Sequence, residues 1–584
     1  MQKIDLKKII SDRSKDIAES RILRNKLALI VLKKILYIEK INLFIDLNSH
    51  LDTVHFINEL FEYLNFSYLI SSKDIERIPA EGKLICVANH PIGSLDGLSL
   101  LKAFIEIRPD VKIIANDVLY YFDFIKPYLL PVDLFNSKTA QRDYITTIKT
   151  ALEKENAVII FPAATVSRLK WYHIMDSEWH KGAVSLARKF NAPVLPVFID
   201  AKNSLLFYIV SLLSKKTSML LLAHELFNKR NKSIRIKIGN MIPARAFKFS
   251  YINDFYQTKL LKKHVYLMGK RNRTVYSTEK NIIHPVDRRF IKRELNNSEL
   301  LGISKEGMQI YLVHKETSPF CINEVARLRE TTFRKVGEGT GKKLDIDKFD
   351  GMYSHLIVWD DKELEIVGSY RLGIGKKIYP YFGTQGFYTS TLFNFSKNFE
   401  LNFLKDSIEL GRSFVQKKYW NTNALNYLWQ GIGAFLSGNP DAKYLFGGVS
   451  ISNSYPEYAK KLIVYYYTKW FSNREHLIES KNRFMISKEE ENELSKMFSE
   501  DNTKSDYRIL KNILRQMNCS VPVLYKHYTD LCEDGGVNFL DFGVDPDFEN
   551  CIDGLIIVNV NRIKEEKKIK YLKNSQLDEM KMPA

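Results

Sequence analysis

Short apolar runs that alternate with longer helical stretches constrain the fold of this chain more than any other feature. Four such runs occur between residues 83 and 200, and they read KLICVAN, VKIIAND, NAVIIFPA and APVLPVFID. Runs of four to eight apolar residues are typical of buried strands, and strands that alternate with helices imply an α/β layer fold. The sequence therefore predicts an α/β domain in this part of the chain.

A second set of apolar runs follows a highly charged stretch that ends near residue 306. It contains MQIYLV, HLIVWDD, EIVGSYRLG, YLFGGVSI and GLIIVNV, and no internal repeat relates it to the first set. We therefore expect two different α/β domains. The predicted organisation is an amphipathic, membrane-associating helical lead-in over 1–75, a first domain over 76–270, a charged linker over 271–305 and a second domain over 306–584.

The net charge of the chain indicates which kinds of partner it can bind. The chain has 87 Lys and Arg against 68 Asp and Glu, a net charge of +19, which attracts phosphate-rich surfaces. No zinc-finger spacing, basic leucine zipper or aromatic RNA-binding motif is present, so an anionic membrane surface is favoured over nucleic acid. The first twenty residues lack a signal-peptide pattern, and the five scattered cysteines lack a C-x-x-C pair. These features predict a cytosolic chain with neither a disulfide framework nor a metal site.

The most apolar stretch, from Ser204 to Phe227, is interrupted by Lys215 and Lys216. Charges at the centre of a membrane span are costly, so this stretch is expected to be buried or interfacial rather than spanning. Together with the basic charge, it predicts a peripheral or monotopic protein at the cytoplasmic face of the inner membrane.

A histidine and a carboxylate share one loop in VANHPIGSLDGLSLL, where a strand-like run ends at Asn89 and His90 and a helix-like segment opens near Asp96. A carboxylate beside one imidazole nitrogen orients the ring, while the other nitrogen removes a proton from an alcohol. A loop histidine that is only hydrogen-bonded to a neighbouring aspartate has the same residue types.

Four blocks in this region resemble the glycerolipid and lysophospholipid acyltransferase family. They are NHPIGSLDG, RPDVKIIANDVL, FPAATVSR and APVLPVFIDAKNS, and the five-residue spacing between His90 and Asp96 is that of the haemolysin-like, ornithine-lipid-forming branch. The resemblance implies that His90 is the general base and Asp96 its orienting partner. It also implies an acceptor-binding set: Asn89, Gly93, Phe161, Pro162, Ser167 and Arg168. Ala164 and Thr165 stand where relatives have glycine and an acid, which points away from a glycerol-phosphate acceptor.

Carboxylates cluster in the second region between Glu338 and Asp350, ahead of a strand, and Arg371 follows the next strand. A carboxylate can take a proton from an attacking amine, and an arginine can hold a carboxylate or phosphate. A solvated acidic loop has the same composition.

The second region resembles N-acyltransferases related to acyl-homoserine-lactone synthases, which have a fold of the GNAT type, and more closely those that make ornithine lipids. The resemblance implies Glu338 as the catalytic carboxylate and a substrate-binding set: Asp347, Asp350, Arg371, Glu409 and Arg412. In LWQGIGAFL, the residues Gln430, Gly431 and Gly433 partly match a loop that binds the pyrophosphate of an acyl donor.

Together the two resemblances imply a bifunctional aminolipid synthase of the ornithine-lipid type. The second domain would acylate an amino acid with a 3-hydroxyacyl group, and the first would acylate the 3-hydroxyl of that lyso-lipid. The donor would be acyl-ACP or acyl-CoA, with no bound cofactor and no metal. Three alternatives stay open. The first is a lysophospholipid or 1-acylglycerol-phosphate acyltransferase with an accessory second domain, the second is a non-enzymatic, haemolysin-like membrane-binding protein, and the third is nucleic-acid binding, which rests only on the charge.

Overall fold

The computed structural model describes most of the chain in two compact units, residues 1–284 and 285–584. The described residues are 30, 34–116, 123–132, 138–170, 173–214, 218–219, 221–248, 252–472, 475–498 and 502–573. Two predicted features therefore lie partly outside the described residues, namely the lead-in, over 1–29 and 31–33, and the end of RPDVKIIANDVL after residue 116. The Lys215–Lys216 pair lies wholly outside them.

The first unit is a seven-stranded sheet with the order β1-β9-β8-β2-β5-β3-β4. Neighbouring strands are parallel except for the antiparallel pair β8 and β9. The sheet strands are β1 Ser67–Leu69, β2 Leu84–Ala88, β3 Lys112–Asn116, β4 Leu129–Val132, β5 Ala157–Ile160, β8 Val194–Asp200 and β9 Ser233–Ile238, and a separate hairpin is formed by β6 Arg168–Lys170 and β7 His173–Met175.

Helices of the first unit cover this sheet. They are α1 Ile38–Asn48, α2 Thr53–Tyr63, α3 Ser72–Ile75, α4 Ser94–Ile105, α5 Lys138–Glu153, α6 Gly182–Phe190, α7 Leu205–Leu213, α8 Leu222–Asn228 and α9 Asp254–Arg271. Alternate residues of β2 pack into different clusters, Cys86 into one and Val87 into the other. Because both faces of the sheet are buried, β2 reads as a continuous apolar run rather than an alternating one.

The second unit is an eight-stranded sheet with the order β10-β11-β12-β13-β15-β16-β19-β18. All neighbours are antiparallel except β15 and β16. The strands are β10 Glu299–Ile303, β11 Gln309–Val313, β12 Ser354–Asp360, β13 Glu365–Ile374, β15 Ser407–Val415, β16 Tyr444–Ile451, β18 Val537–Asp545 and β19 Cys551–Asn559, with a separate pair β14 Phe393–Phe395 and β17 Ile478–Ser480.

Helices again flank this second sheet. They are α10 Arg288–Asn296, α11 Pro319–Val336, α12 Gly375–Phe382, α13 Lys397–Asn402, α14 Ala424–Ser437, α15 Glu457–Phe471, α16 Lys488–Met497, α17 Thr503–Gln516, α18 Val523–Leu531 and α19 Glu565–Lys568. On β12, Leu356 packs into the cluster that contains α14, and Ile357 into the cluster that contains α11. The predicted fold class, two different α/β domains, is confirmed.

The division between the units falls at His284 and Pro285, within the stretch predicted as a linker. That stretch also contains α10, whose Ile291 and Leu295 are buried in the core of the second unit. Among the helices that the structure describes, none combines the length and apolar character needed to cross a bilayer.

Candidate active sites

The first site lies at the carboxyl edge of three neighbouring parallel strands, β8, β2 and β5. His90 follows β2 by two residues, and Phe161 directly follows β5. In parallel sheets the loops after adjacent strands meet at one edge, where α/β enzymes hold their ligands. The ring centroids of His90 and Phe161 are 4.5 Å apart, so the topology brings two predicted blocks together.

His90 and Asp96 form the predicted pair. Nδ1 of His90 lies 3.2 Å from Oδ2 of the fully buried Asp96. The same Oδ2 accepts hydrogen bonds from the backbone N–H groups of Ile92 at 2.8 Å and Gly93 at 3.0 Å. Burial raises the pKa of Asp96, and His90 partly offsets that rise. The pairing leaves Nε2, on the other side of the ring, as the nitrogen that can take a proton from an alcohol.

Gly93 shapes the turn that joins the pair. Its φ of 100° lies in a region that side chains rarely adopt, and the residue is the N-cap of α4. Asp96, in the first turn of that helix, can therefore reach back to the loop that carries His90. The structure gives Gly93 a conformational role at this turn.

The acceptor block FPAATVSR is fixed to the His90 loop by Asp176, a residue that the sequence analysis missed. The backbone N–H of Ser167 donates to the carbonyl of His90 at 2.7 Å, and the Ser167 hydroxyl donates to Asp176. The buried Asp176 also accepts from the backbone N–H of His90 at 3.3 Å and from Nε1 of Trp179 at 2.9 Å. Because 86 residues separate His90 from Asp176, no local pattern signals this contact.

Arg168 and Asn89 occupy different environments. Nη1 of Arg168 donates to Oγ of Ser218 at 2.9 Å, and partial burial lowers the pKa of its guanidinium from the ordinary value. Asn89 is buried, and its amide exchanges two hydrogen bonds with the backbone of Ile199, at 2.9 and 2.7 Å. The Asn89 side chain therefore joins the end of β2 to β8, while Arg168 is a partly exposed cation at the end of the acceptor block. Pro162 is buried, and its carbonyl accepts from the backbone N–H of His180 at 2.9 Å.

The second site rests on alternating arginine and aspartate side chains, all inside one unit. Nη2 of Arg329 lies 2.9 Å from Asp350, and Nη1 of Arg371 lies 2.8 Å from Asp347 and 3.4 Å from Asp350. Although burial raises the pKa of Asp350, Arg329 and Arg371 hold it well below its usual range. Asp350 and Arg371 are almost fully buried, so they support the site from beneath.

Arg412 and Asp347 are the more exposed members of this network. Arg412 lies 3.5 Å from Asp345 and 3.9 Å from Asp347, and its guanidinium lies over the rings of Tyr388 and Phe548, 4.6 and 4.3 Å from their centroids. Arg412 has a φ of 50°, a left-handed conformation that costs free energy in a non-glycine residue and clusters at functional sites.

The position of Arg412 is related to the parallel pairing of β15 with β16, which is the one parallel pair among the described strands of this sheet. Strands β15 and β16 pair only through Ser407–Glu409 and Tyr444–Phe446. Beyond these residues β15 continues beside β13, and β16 continues beside β19. Arg412 lies on β15 just after the two strands stop pairing.

Glu409 has a supporting role that the sequence did not reveal. Its carboxylate is buried and accepts hydrogen bonds from the hydroxyl of Tyr353, from the backbone N–H of Tyr388 at 3.0 Å and from that of Thr389 at 2.7 Å. Burial raises the pKa of Glu409, and its hydrogen bonds partly offset the rise. Glu409 thus fixes the loop that carries Tyr388. The Tyr388 ring lies against the guanidinium of Arg412, and the Tyr388 hydroxyl donates to Asp545 at 3.1 Å.

Glu338 follows the C-terminal end of α11 and is only partly exposed. Burial, with a contribution from Asp553, raises the pKa of Glu338 to about 8, while Arg412 opposes the rise. Burial and Asp545 likewise raise the pKa of Asp553 to about 7. Glu338, Asp545 and Asp553 each interact electrostatically with Arg412, and burial raises the pKa of all three. Asp545 and Asp553 were not predicted, although an acid inside the apolar run CIDGLIIV is a signal for Asp553.

The predicted donor loop is a helix. Gln430, Gly431 and Gly433 lie in the middle of α14, not at its N-terminus. A Cβ on Gly431 would lie 2.6 Å from Leu356 and 2.7 Å from Ile310, so this glycine allows the helix to pack closely on the sheet. Backbone N–H groups inside a helix are already hydrogen-bonded, and they do not form the expected pyrophosphate cradle. We correct the assignment of these three residues accordingly.

Two family models match this chain. Residues 10–272 match the family described as Acyltransferase, and residues 328–430 match the Acetyltransferase (GNAT) domain. The first range contains His90 and Asp96, and the second contains Glu338, Arg371 and Arg412. Each constellation therefore lies inside a different family match.

Three named proteins show what the chain is similar to. A glycine N(alpha)-acyltransferase of Bacteroides thetaiotaomicron is 34% identical over 318 residues, which are 52% of this chain and 94% of that protein. A lyso-glycine lipid O-acyltransferase of Phocaeicola vulgatus is 28% identical over 225 residues, 37% of this chain and 78% of that protein. An L-ornithine N(alpha)-acyltransferase of Rhizobium meliloti is 35% identical over 129 residues, 20% of this chain and 41% of that protein.

Proposed function

The chain belongs to the acyltransferase family that contains the bacterial glycine N(alpha)-acyltransferases, and we propose that it is a bifunctional aminolipid synthase. It is an acyltransferase with an N-terminal acyltransferase domain and a C-terminal GNAT domain. We assign N-acylation of an amino acid to residues 306–584 and O-acylation of the resulting lyso-lipid to residues 76–270. The observation that carries this proposal is the presence, in one chain, of two chemically different constellations, His90 with Asp96 and Glu338 with Arg412.

We propose glycine as the amino acid. The glycine N(alpha)-acyltransferases match over more than nine-tenths of their length, whereas the ornithine enzymes match over about two-fifths. Ornithine is the second candidate, because two acids that interact with Arg412, namely Asp545 and Asp553, offer partners for a second ammonium group.

In the first reaction, Glu338 removes a proton from the ammonium group of the amino acid. The free amine attacks the thioester carbonyl of a 3-hydroxyacyl donor, an N–C bond forms, the C–S bond breaks, and the departing thiolate takes up a proton. Arg412, partly exposed among Asp345 and Asp347, is placed to hold the carboxylate of the amino acid. A base with a pKa near the working pH is well matched to this proton transfer.

In the second reaction, Nε2 of His90 takes the proton of the 3-hydroxyl on the lyso-lipid. The hydroxyl oxygen attacks a second acyl thioester, the new O–C bond replaces the C–S bond, and His90 returns the proton to the thiolate. Asp96 stabilises the imidazolium that forms in between. Arg168 is a suitable partner for the free carboxylate of an N-acyl amino acid, which takes the place of a glycerol phosphate.

The donor in both steps is proposed to be a thioester of acyl carrier protein or of CoA. A net charge of +19 suits an acidic carrier, since complementary charge accelerates encounter. The same charge suits an anionic membrane, and we propose a peripheral location at the cytoplasmic face of the inner membrane. Tethering both sites in one chain raises the effective concentration of the single-chain intermediate.

Mass spectrometry of lipids from a host that lacks aminolipids, expressing the whole chain, tests the proposal. We expect a new lipid with one amide-linked and one ester-linked acyl chain, and its head-group mass separates glycine from ornithine. An increase in phosphatidic acid alone would instead support a lysophospholipid acyltransferase. An unchanged lipid profile with folded, abundant protein would support a non-enzymatic membrane protein.

A further inference from the structure

Helix α7 presents an aliphatic face to solvent. Five of its nine residues have exposed side chains, with exposed fractions between 49% and 84%, and these are Leu205, Leu206, Ile209, Leu212 and Leu213. A contiguous exposed apolar patch of this kind marks an interaction surface, whereas single apolar residues scattered over a surface do not. The helix itself carries no charged side chain.

The opposite face of α7 is firmly anchored, so the exposed face does not result from loose packing. Phe207 and Tyr208 are buried against Val166 and neighbouring apolar side chains. Ser204 caps the helix by accepting from the backbone N–H of Phe207, and the buried Glu225 accepts from the backbone N–H of Ser204 at 2.8 Å.

This helix is joined to the O-acylation site. The backbone N–H of Asn203 donates to the hydroxyl of Tyr208 at 2.9 Å, and Nδ2 of Asn203 lies 3.3 Å from the carbonyl of Pro91, the residue after His90. Val166, which packs against α7, belongs to the acceptor block that ends at Arg168. The apolar face and the catalytic histidine are therefore parts of one local structure.

The chemistry of the face favours lipid over protein as the partner. Protein interfaces are enriched in tyrosine, tryptophan and arginine, whereas all five exposed side chains here are leucine or isoleucine. The sequence places Lys202 just before the helix and Lys215 and Lys216 just after it. An aliphatic helix face with basic residues at its ends is typical of helices that lie in the interface of an anionic bilayer.

We propose that α7 inserts its aliphatic face into the acyl-chain boundary of an anionic bilayer and so positions the O-acylation site at the membrane surface. With nine residues the helix is far shorter than the roughly 20 needed to span a bilayer, so it lies in the surface plane. The role as an entry point for a membrane-resident lyso-lipid rests on the proposed function. Membrane insertion of α7 does not, and it is tested separately.

Tryptophan placed on the helix reports its depth directly. Full-length Leu206→Trp and Leu213→Trp variants are mixed with vesicles of equal parts phosphatidylcholine and phosphatidylglycerol, with and without bromine on the acyl chains. We expect a blue shift and strong bromine quenching relative to the unmodified protein. Leu401→Trp, an exposed leucine of the second unit that is 71% accessible, is the matched control and is expected to show neither. Equal quenching of all three variants, or of none, overturns the proposal.

A charge test measures what the face contributes to binding. The double variant Leu206→Glu, Leu213→Glu is expected to bind the same vesicles at least tenfold more weakly, while Leu401→Glu binds normally. O-acylation of a short-chain, water-soluble acceptor is expected to be retained, which shows that the fold and site are intact. Unchanged vesicle binding overturns the proposal, as does conversion of a wild-type dimer to a monomer without loss of vesicle binding. Failure of the proposed function has a different signature, namely that the unmodified chain transfers no acyl group although the binding difference persists.

Discussion

Oδ2 of Asp96 is shared by Nδ1 of His90, at 3.2 Å, and by two backbone N–H groups of the same loop. This arrangement holds the imidazole in one orientation. His90→Ala is therefore expected to slow O-acylation by about 10²- to 10⁴-fold, the usual contribution of a general base, and to leave N-acylation unchanged. Mass spectrometry of purified reactions, which separates mono-acyl from diacyl product, measures both rates. Full diacyl product from His90→Ala would contradict the assignment.

Asp176 is expected to stabilise the first unit by accepting hydrogen bonds from Ser167, Trp179 and His90. Asp176→Ala leaves the hydroxyl of Ser167 and Nε1 of Trp179 without their acceptor, and buried donors without partners cost about 1–3 kcal/mol each. We expect the first unit to lose about 2–4 kcal/mol of unfolding free energy. Urea unfolding measures this loss, and Asp200→Asn, an exposed aspartate at the end of β8, is the control. An Asp176→Ala variant as stable as that control would refute the prediction.

The raised pKa of Glu338 predicts how the rate of N-acylation depends on pH. A base must be ionised, and the pKa of Glu338 is raised to about 8, so kcat/KM is expected to rise with pH and level off above about 8. Glu338→Gln is expected to abolish that rise and to lower the rate by about 10²- to 10⁴-fold. A profile that keeps its midpoint near 8 in Glu338→Gln would assign the titration to another group.

The same raised pKa has a consequence for stability. In the unfolded chain Glu338 ionises near its ordinary value of 4.5, so its contribution to stability is complete below that pH and is lost as pH rises through about 8. Glu338→Gln is expected to remove this loss, which makes the variant relatively more stable at pH 9 than at pH 5. Thermal unfolding at both values tests the sign, and a variant whose relative stability falls with pH would contradict it.

Asp553 is expected to set the midpoint of that profile. Because the charge of Asp553 raises the pKa of Glu338, Asp553→Asn should move the rise in kcat/KM to lower pH. Asp534→Asn, an exposed aspartate of the same unit, should leave the midpoint in place. If both variants or neither shifts the midpoint, Asp553 does not act on Glu338.

Substitution of Gly431 distinguishes a role in helix packing from a role in binding the acyl donor. Alanine is ordinarily favoured over glycine within a helix, but here its Cβ would meet Leu356 and Ile310 at 2.6 and 2.7 Å. Gly431→Ala is expected to cost about 1–3 kcal/mol of stability through overpacking and to leave the KM for the acyl donor unchanged. Gly438→Ala, at the end of the same helix, makes only an ordinary contact at 3.6 Å and is the control. A several-fold rise in donor KM without loss of stability would restore the donor-loop assignment.

The strands of the first sheet could be predicted from the sequence. KLICVAN, NAVIIFPA and APVLPVFID contain β2, β5 and β8, because strands buried on both faces are continuously apolar. The order of these strands in the sheet could not be predicted from the sequence, since it depends on contacts between distant segments. The antiparallel addition of β9 beside β8 is one example.

The candidate sites were predictable where residues lie close together in sequence or match a family block. His90 and Asp96 are such a pair. Asp176 and Asp553 were missed because each reaches its partner only through the folded sheet. Gln430 and Gly431 were misread because glycines that permit close packing of a helix look the same in sequence as glycines in a phosphate loop.

Each unit has its own sheet and its own buried core, yet both are encoded in a single polypeptide. A glycine N(alpha)-acyltransferase and a lyso-glycine lipid O-acyltransferase of Bacteroides thetaiotaomicron, each similar to a part of this chain, are two separate proteins. Here translation fixes the stoichiometry of the two domains at one to one. If the proposed function holds, every molecule that makes the detergent-like intermediate also carries a domain that consumes it.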